Sequence, residues 1–300
     1  MFLVAILLIF GFSLGVEIVS EEKVPINLEK QKVKFLKSGF IILEYPDYQL
    51  VIDVKKSQEK VVHLKCSLDM FPFLQSCGRD FFDKKLRAFL KIPSNIYLNV
   101  VYYRLNKDRF GICTEQGIYI YEKDKFVPVI EYKFPAFIQV PDCSFSSDGR
   151  FAVYLYGKNY FSLLKDIILL GKNEGSNFKL VEINIQKRKK KTLLESYKFF
   201  PFYRPVYSED NNVIYFHTDR TKSIKDKGLY SYHKKSHKVV YETFFTAPII
   251  YAIDNEKLLI CDIRDIYLYS PKTKKKLLVY SLKDKECPQF IYYVEELNVN

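Results

Sequence analysis

The 300-residue chain has no tryptophan, only 11 glycines and 12 prolines, and four histidines. With so little glycine and proline, many turns must be built from Asn, Asp, Ser or Lys. No Cys-x-x-Cys spacing occurs, which excludes the strong sequence signatures of zinc and thiol-redox sites. A glycine-rich phosphate loop, a Gly-x-Ser-x-Gly nucleophile elbow and a His-Glu-x-x-His motif are also missing. The sequence therefore predicts no catalytic, cofactor-binding or metal-binding residue.

The residues that are present favour a packed, basic protein. Apolar residues make up 48% of the chain and include 24 Tyr and 25 Phe, which suit the half-buried surface of a pleated sheet. The net charge is +12, from 47 basic and 35 acidic residues. Such a charge favours an acidic partner, namely an anionic lipid, a nucleic acid or an acidic protein surface. A solvated lysine-rich surface explains the same numbers.

The first residues form an uncharged apolar run from Phe2 to Val16. Its 15 residues would span roughly 22 Å as a helix, which is short for a bilayer core of about 30 Å. The run fits the apolar core of a secretory signal. We predict a signal peptide over 1–15, a linker over 16–32, and a periplasmic or secreted location. An uncleaved N-terminal membrane anchor is the alternative.

Six cysteines in an exported chain permit disulfides, although sequence alone does not give their connectivity. Cys66 and Cys77 are close in sequence and are the first candidate pair. Cys113 and Cys261 lie inside apolar, strand-like runs, and we interpret these two as small buried hydrophobic residues rather than bridged ones.

Residues 141–156 and 204–220 share one pattern, in which an aromatic residue and a serine precede a tight acidic turn and an apolar strand. Gly and Asn in such turns tolerate a positive φ, and Asp side chains hydrogen-bond to nearby backbone. The predicted structural turn residues are Asp148, Gly149, Asp210 and Asn211. Weaker copies of the pattern lie at 247–262 and 77–91.

A second pattern is an alternating strand, a lysine-rich turn and another apolar strand, which predicts a hairpin. It occurs five times, at residues 48–64, 116–132, 178–195, 227–242 and 264–281. Joined to the first pattern, it gives a unit of four antiparallel strands and roughly 40 to 45 residues, the size of a propeller blade. We therefore predict an all-β fold, a β-propeller over residues 33–300 with six blades favoured over five or seven.

The third strands of these units align on Leu50, Ile118, Leu180, Leu229 and Ile266, in steps of 68, 62, 49 and 37 residues. The long steps predict insertions at 93–107 and 156–178, although a degenerate extra blade between residues 86 and 105 is an alternative for the first. Because a ring is stable only when its ends are joined, the strand-like tail at 289–300 is predicted to complete the blade that begins at 39–46.

Residues 207–211, 145–149 and 218–220 resemble the repeats of the TolB-type, WD40-like β-propeller family of bacterial envelope proteins. In that family an aromatic-Ser-Pro-Asp-Gly turn and a Ser-Asp-Arg element flank one strand, so the resemblance adds Asp219 and Arg220 to the structural turn residues. The turns here lack the usual proline, and the chain has no room for the N-terminal α/β domain of TolB. The resemblance implies a fold and an envelope setting, but not the partners of TolB.

The basic run at 187–191 lies at the same place in its hairpin as the runs at 272–276 and 234–238. Lysines at such turns keep the turns solvated, and binding to an anionic surface is the alternative. Aromatic residues do not interleave with the run, so nucleic acid is not a favoured partner. The pattern places His233 and His237 in or beside a hairpin turn, so the two do not share the helical face that a metal-binding pair four residues apart would need.

From these patterns we predict a monomeric, non-enzymatic exported propeller that acts as a protein-binding scaffold for an envelope protein partner, with no cofactor. One alternative is a metal-dependent hydrolase or lyase that uses the central channel of the propeller. Another is a surface protein or adhesin that uses the positive charge.

Overall fold

The computed structural model describes residues 39–45, 48–56, 58–62, 75–94, 98, 100–106, 108–114, 116–131, 143–156, 178–196, 201–218, 227–283, 285–288 and 290–294. The predicted signal peptide and linker, Asp219, Arg220 and Cys66 lie outside these ranges, as does the side chain of Cys77. The insertion predicted at 156–178 also falls outside them except at its two ends.

The described residues form 20 strands and one helix. The first half of the chain contains β1 (Phe40–Glu44), β2 (Gln49–Asp53), β3 (Gln58–Val62), α1 (Gln75–Leu90), β4 (Val100–Asn106), β5 (Arg109–Thr114), β6 (Gly117–Glu122), β7 (Lys125–Glu131), β8 (Cys143–Phe145) and β9 (Phe151–Tyr156). The second half contains β10 (Phe178–Asn184), β11 (Lys189–Ser196), β12 (Pro201–Tyr207), β13 (Val213–Thr218), β14 (Gly228–His233), β15 (Lys238–Thr243), β16 (Pro248–Ala252), β17 (Leu258–Asp262), β18 (Asp265–Ser270), β19 (Lys275–Ser281) and β20 (Phe290–Val294).

The strands form five four-stranded antiparallel sheets, the blades of a β-propeller. Contacts between sheets run from β4 through β8, β12 and β16 to β20, so these strands are the innermost of their blades. From the centre outwards the blades are β20-β1-β2-β3, β4-β5-β6-β7, β8-β9-β10-β11, β12-β13-β14-β15 and β16-β17-β18-β19, numbered here 1 to 5. The predicted propeller is confirmed, with five blades in the described residues rather than the favoured six.

All five predicted hairpins join the third and fourth strands of a blade, and the five aligned residues all lie on third strands. The second and third strands of a blade such as blade 4 are strongly apolar, because neighbouring blades bury both of their faces. On β13, for example, Ile214 and Phe216 pack with blade 3, whereas Tyr215 packs with blade 5. Each buried side chain of this size contributes about 1.5–3 kcal/mol relative to exposure.

The prediction of a weak turn-and-strand copy at 77–91 is wrong, because helix α1 covers almost all of this segment. The extra blade between residues 86 and 105 is wrong for the same reason. Phe82 and Leu86 are four apart and both fully buried, a spacing that puts them on one face of a helix. The helix ends where Lys91 takes a φ of 56° and the Ile92 N–H donates to the Arg87 carbonyl at 3.0 Å, the pattern of a Schellman cap.

Helix α1 packs on the face of blade 2 that is turned away from blade 3. The Phe82 ring lies 5.0 Å from Tyr102 and 5.2 Å from Phe110, between ring centres. The opposite face of the blade, with Ile118 and Ile120, packs with blade 3 instead. The helix thus covers a sheet face that a further blade would cover in a six-bladed ring.

The C-terminal strand closes the ring, as the sequence predicted. Strand β20 pairs antiparallel with β1, with Leu43 opposite Ile291 and Phe40 opposite Val294. Phe290 and Tyr292 pack into the cluster shared by blades 1, 2 and 3, and Ile291 packs into the cluster shared by blades 1 and 5.

Two disulfides correct the interpretation of Cys113 and Cys261 as unbridged residues. Cys113 on β5 is bonded to Cys143 on β8, with Cα atoms 6.0 Å apart, and so links blade 2 to blade 3. Cys261 on β17 is bonded to Cys287, with Cα atoms 5.7 Å apart. Both strand cysteines are buried as expected, but each faces a partner in a segment that is distant in sequence. The Cys66–Cys77 pair stays a prediction.

Deletion of residues 288–300 is expected to destabilise the protein strongly, because it removes β20 and exposes the edge of β1. Three buried side chains are lost, at about 1.5–3 kcal/mol each, so the free energy of unfolding should fall by at least about 4 kcal/mol. Urea denaturation followed by tyrosine fluorescence measures the change. A chain that ends at Val294 is the control, and equal stability of the two truncated chains would contradict closure by β20.

Candidate binding surface

The turns that follow the first and the third strand of a blade open on the same end of the propeller, and we call this end the turn face. Blade 1 has only the second of these turns, because its first strand, β20, comes from the end of the chain. The inner turns join the first strand to the second, and the outer turns join the third strand to the fourth. The described inner turns of blades 3, 4 and 5 are 146–150, 208–212 and 253–257. The outer turns of blades 1 to 5 are 54–56, 123–124, 185–188, 234–237 and 271–274.

The predicted turn residues occupy equivalent positions in the inner turns of blades 3 and 4. In blade 3 the Ser146 hydroxyl donates to Asp148 Oδ1 at 2.7 Å, and the Arg150 N–H donates to the same oxygen at 3.0 Å. Gly149 has a φ of 63°, the left-handed conformation that such a turn needs. In blade 4 Asn211 takes this role with a φ of 59°.

Hydrogen bonds to these aspartates lower their pKa values. Burial alone would raise the pKa of Asp148, but donation from the Arg150 N–H, the Ser146 hydroxyl and the Arg150 guanidinium outweighs it, and the pKa falls below its usual range. Burial would also raise the pKa of Asp210. Donation from Asn212 and Ser208 outweighs burial, and the pKa of Asp210 is lowered as well. Each carboxylate is therefore held ionised in its turn.

Inner turns of consecutive blades are joined to one another. The side chain of Asn211 accepts from the Ser147 N–H at 3.0 Å and donates to the Ser147 hydroxyl at 2.9 Å. The Asp210 N–H donates to the Asn255 side chain at 2.8 Å, which extends the connection from blade 4 to blade 5. The inner part of the turn face over blades 3 to 5 is therefore one connected surface.

Outer turns of blades 4 and 5 are held by buried carboxylates of the preceding blade. Glu182 on β10 accepts from Lys234 Nζ at 2.5 Å and from the Tyr207 hydroxyl at 3.0 Å. Burial and the nearby Glu182 carboxylate raise the pKa of Tyr207 well above its ordinary value, so it remains a donor. Glu242 on β15 pairs with Lys274 in the same way.

Glu242 stands at a position where blades 2, 3 and 5 carry apolar residues. In blades 2 to 5 the register between the third and fourth strands shifts once and skips a single fourth-strand residue, namely Val129, Leu193, Glu242 and Val279. The Glu242 side chain is 2% exposed and accepts from the Ser231 hydroxyl at 2.5 Å and from the Tyr269 hydroxyl at 2.9 Å. Sequence inspection missed it, although aligning the hairpins of blades 2 to 5 would have shown a Glu among Val and Leu.

The outer turn of blade 3 differs from the other four. Residues 187–191, the run Lys-Arg-Lys-Lys-Lys, are all exposed, and no ion pair to any of them is found within the described part of the chain. Each other outer turn has a paired charge at its end or beside it, in Lys56–Asp53, Asp124–Lys85, Lys234–Glu182 and Lys274–Glu242. The largest concentration of unneutralised charge in the outer turns therefore lies on blade 3.

A cleft of about 190 Å³ lies beside this run, at the turn-face end of the gap between blades 2 and 3. Its floor is apolar and includes Ile120, Val127 and Ile185, and its rim carries Arg109, Glu122 and Arg188. Arg109 Nε lies 3.3 Å from Glu122 Oε2, so these two charges offset each other. Sequence reasoning missed the cleft, because its residues come from two blades and carry no shared motif.

The innermost strands are lined differently. None of the five contains Asp, Glu or His. Aromatic rings meet between them, with Tyr103 5.4 Å from Phe145 and Tyr251 6.0 Å from Tyr292. Within the described ranges, no group of three or more His, Cys, Asp or Glu residues is arranged to hold a metal ion.

His233 and His237, which the sequence analysis considered as a pair, contact different side chains. His233 ends strand β14, and its Nε2 lies 3.1 Å from the Ser231 hydroxyl. His237 lies in the outer turn of blade 4, where its Nδ1 is 2.8 Å from the Tyr232 hydroxyl.

Replacement of Glu242 is expected to destabilise the protein even where the new residue is the one found in blades 2 and 5. Glu242→Val removes the buried carboxylate that accepts from the Ser231 and Tyr269 hydroxyls and pairs with Lys274, at a cost of about 1–3 kcal/mol. Glu242→Gln should cost less, since its amide oxygen still accepts. Chemical denaturation measures both, and Glu256→Gln, which breaks only the exposed pair with Lys272, should change stability by less than about 0.5 kcal/mol. Wild-type stability in Glu242→Val would contradict the assignment.

The inner-turn aspartates predict a stability that depends on acid. Because folding lowers the pKa of Asp148 and Asp210 below an unfolded value of about 3.9, their contribution is complete above that value. It is lost as the pH falls through the lower folded pKa. The difference in unfolding free energy between the wild type and the Asp148→Asn, Asp210→Asn double variant should therefore shrink between about pH 5 and pH 2. A difference that stays constant over this range would refute the role of the two carboxylates.

No protein-family model and no curated protein sequence matches the chain. Among solved structures it is similar to TolB from Acinetobacter baumannii, at 11% identity and a TM-score of 0.44 over 81% of this chain and 53% of that one. It is also similar to oligogalacturonate lyase in complex with manganese, at 9% identity and a TM-score of 0.46 over 78% of this chain and 59% of that one. A third similar structure is the nidogen/laminin complex, at 7% identity and a TM-score of 0.48 over 80% of this chain and 92% of that one. The chain spans less than two thirds of the TolB and lyase chains. At these scores no activity is transferred, and the propeller fold rests on the five blades themselves.

Proposed function

We propose that this protein is a non-enzymatic, exported β-propeller that acts as a monomeric scaffold and binds a partner protein of the bacterial cell envelope on its turn face. The observation that carries the proposal is the basic run at 187–191, where two cations of the blade 3 outer turn and three at the start of β11 are all exposed without an ion pair among the described residues. Unneutralised charge of one sign on a fixed surface favours a partner of the opposite sign.

The turn face is suited to binding because its loops are ordered before a partner arrives. Inner turns of blades 3 to 5 are joined by side-chain hydrogen bonds, and the Ile185 N–H at the outer turn of blade 3 donates to the Arg150 carbonyl at 2.9 Å. A surface that is already ordered loses less conformational entropy when it binds, which improves affinity.

Three features support the exported location. Disulfides such as Cys113–Cys143 and Cys261–Cys287 persist mainly in oxidising compartments. The apolar run from Phe2 to Val16 has the length of a secretory signal core. The turns at 145–149 and 207–211 resemble those of TolB-type envelope propellers. Helix α1, which is the one helix of the described residues, is not long and apolar enough to cross a membrane.

The proposal is tested by photo-crosslinking from both ends of the propeller in native cells. A photoreactive amino acid is placed at Lys187, Lys235 or Lys272 on the turn face, and at Arg264 or Lys283 on the opposite end. One protein should be captured from the turn-face positions, and capture should weaken as salt is added, because the contact is electrostatic.

Equal capture from both ends, or none from the turn face, would refute the proposed binding surface. Thermal unfolding with added calcium or manganese tests the alternative of a metal-dependent hydrolase or lyase. A metal-dependent rise in the melting temperature would favour that alternative over a non-enzymatic scaffold.

A further inference from the structure

The cleft between blades 2 and 3 suggests what the partner presents to the turn face. We propose that the cleft and the run at 187–191 together bind an acidic peptide segment of the partner protein. One apolar side chain of that segment enters the cleft, and carboxylates on either side of it contact the basic run. This inference rests on the proposed function and names the chemistry of the partner.

The size of the cleft favours a peptide side chain over a cofactor or metabolite. Small-molecule sites usually measure roughly 300–1,000 Å³. The cleft, at about 190 Å³, is smaller than this, and it is open to solvent beside an exposed turn. Val127, Val129 and Ile185 form the aliphatic part of a mixed lining and offer an aliphatic side chain van der Waals contact.

The charges around the cleft select for an acidic segment. Arg109 is offset by Glu122 at 3.3 Å, which leaves Arg188 as the rim cation without an ion pair in the described part of the chain. Lys187 precedes it and residues 189–191 follow it, all exposed. Carboxylates flanking the inserted side chain would therefore meet Arg188 and the neighbouring lysines that share its side of the turn, and charge complementarity of this kind speeds association and sets the register of the peptide.

The turn presents these cations in a fixed order. The Lys187 N–H donates to the Asn184 side-chain oxygen at 2.8 Å, and Arg188 takes the left-handed φ of 51° that closes the turn. Pro128 lies on the outermost strand of blade 2 and has no N–H, so this edge cannot offer an unbroken ladder to an added strand. Recognition by side chains is favoured over extension of the sheet.

A bilayer and a nucleic acid fit this surface less well than a peptide does. The large exposed hydrophobic side chains of the described residues are Val61, Phe89, Tyr241, Phe244, Ile263 and Leu278, and none of them lies in a turn of the turn face. A basic surface that inserts into a membrane normally carries such side chains beside its cations. No aromatic residue lies within 186–191 to stack on a base.

The test uses the full chain and a fluorescent synthetic peptide, Ser-Glu-Asp-Leu-Glu-Asp-Ser, whose binding is measured by fluorescence anisotropy. The peptide should bind, and replacing its leucine by serine or its acidic residues by lysine should weaken binding by about tenfold or more. Equal binding of the leucine and serine peptides would overturn the role of the cleft. Absence of binding by the leucine peptide would overturn the inference.

Matched charge variants separate a site from general attraction. The Arg188→Glu, Lys190→Glu double variant should weaken peptide binding by about tenfold or more, whereas Lys272→Glu, Lys275→Glu on blade 5 makes the same change in net charge and should weaken it by less than about threefold. Val127→Phe, which fills the cleft without changing charge, should also weaken binding. Equal effects of the two charge variants would refute a defined site, and circular dichroism checks that each variant is folded.

Two further measurements distinguish this inference from the proposed function and from a lipid. If crosslinking from the turn face still captures the partner in the Arg188→Glu, Lys190→Glu variant, the cleft is not its site, although the turn face remains the binding surface. Loss of capture in that variant supports the inference. Vesicles with 30% phosphatidylglycerol should bind no more tightly than neutral vesicles at physiological salt, and tighter binding would favour a membrane instead.

Discussion

The pairing of β20 with β1 is the contact on which the remaining structure depends. Apolar side chains of each blade pack against a neighbouring blade, and helix α1 covers the remaining face of blade 2, so the blades depend on one another for their cores. Blade 1 takes its innermost strand from the end of the chain, and this strand also packs with blades 2, 3 and 5 through Phe290, Ile291 and Tyr292. The order of the turn face therefore depends on a contact between the two ends of the fold.

Much of the fold could be predicted because strands and turns have local signals. The alternating hairpins and the third-strand positions follow from residues near one another in sequence, and the closing strand follows from a strand-like tail together with the need to join the ends of a ring. Blade number could not be predicted, because α1 contributes apolar residues such as Phe82 and Leu86 in a stretch that also fits a short strand. The disulfides could not be predicted either, since Cys113 and Cys261 face partners 30 and 26 residues away that only the packing of segments brings close.

The candidate binding surface likewise has a part that the sequence predicted and a part that it did not. Asp148, Gly149, Asp210 and Asn211 were visible in the sequence because each turn satisfies its own backbone. The cleft was not visible, because Arg109 and Arg188 come from different blades and meet only in the assembled ring. Nor did the sequence reveal which basic turns are neutralised, since Lys234 and Lys274 find their carboxylates on the preceding blade. Charge in a propeller is thus decided between blades, whereas turn geometry is decided within them.

The Cys261–Cys287 bond has a consequence for how the closed ring opens. It fixes the chain to blade 5 only three residues before β20 begins, so a detached closing strand stays tethered beside its place. Short tethers keep the effective concentration of a returning segment high, and the strand would rejoin β1 quickly after each detachment. Reduction of this one bond would lengthen the tether by the whole connection from β19, and the ring would then stay open longer in a reducing environment than in an oxidising one.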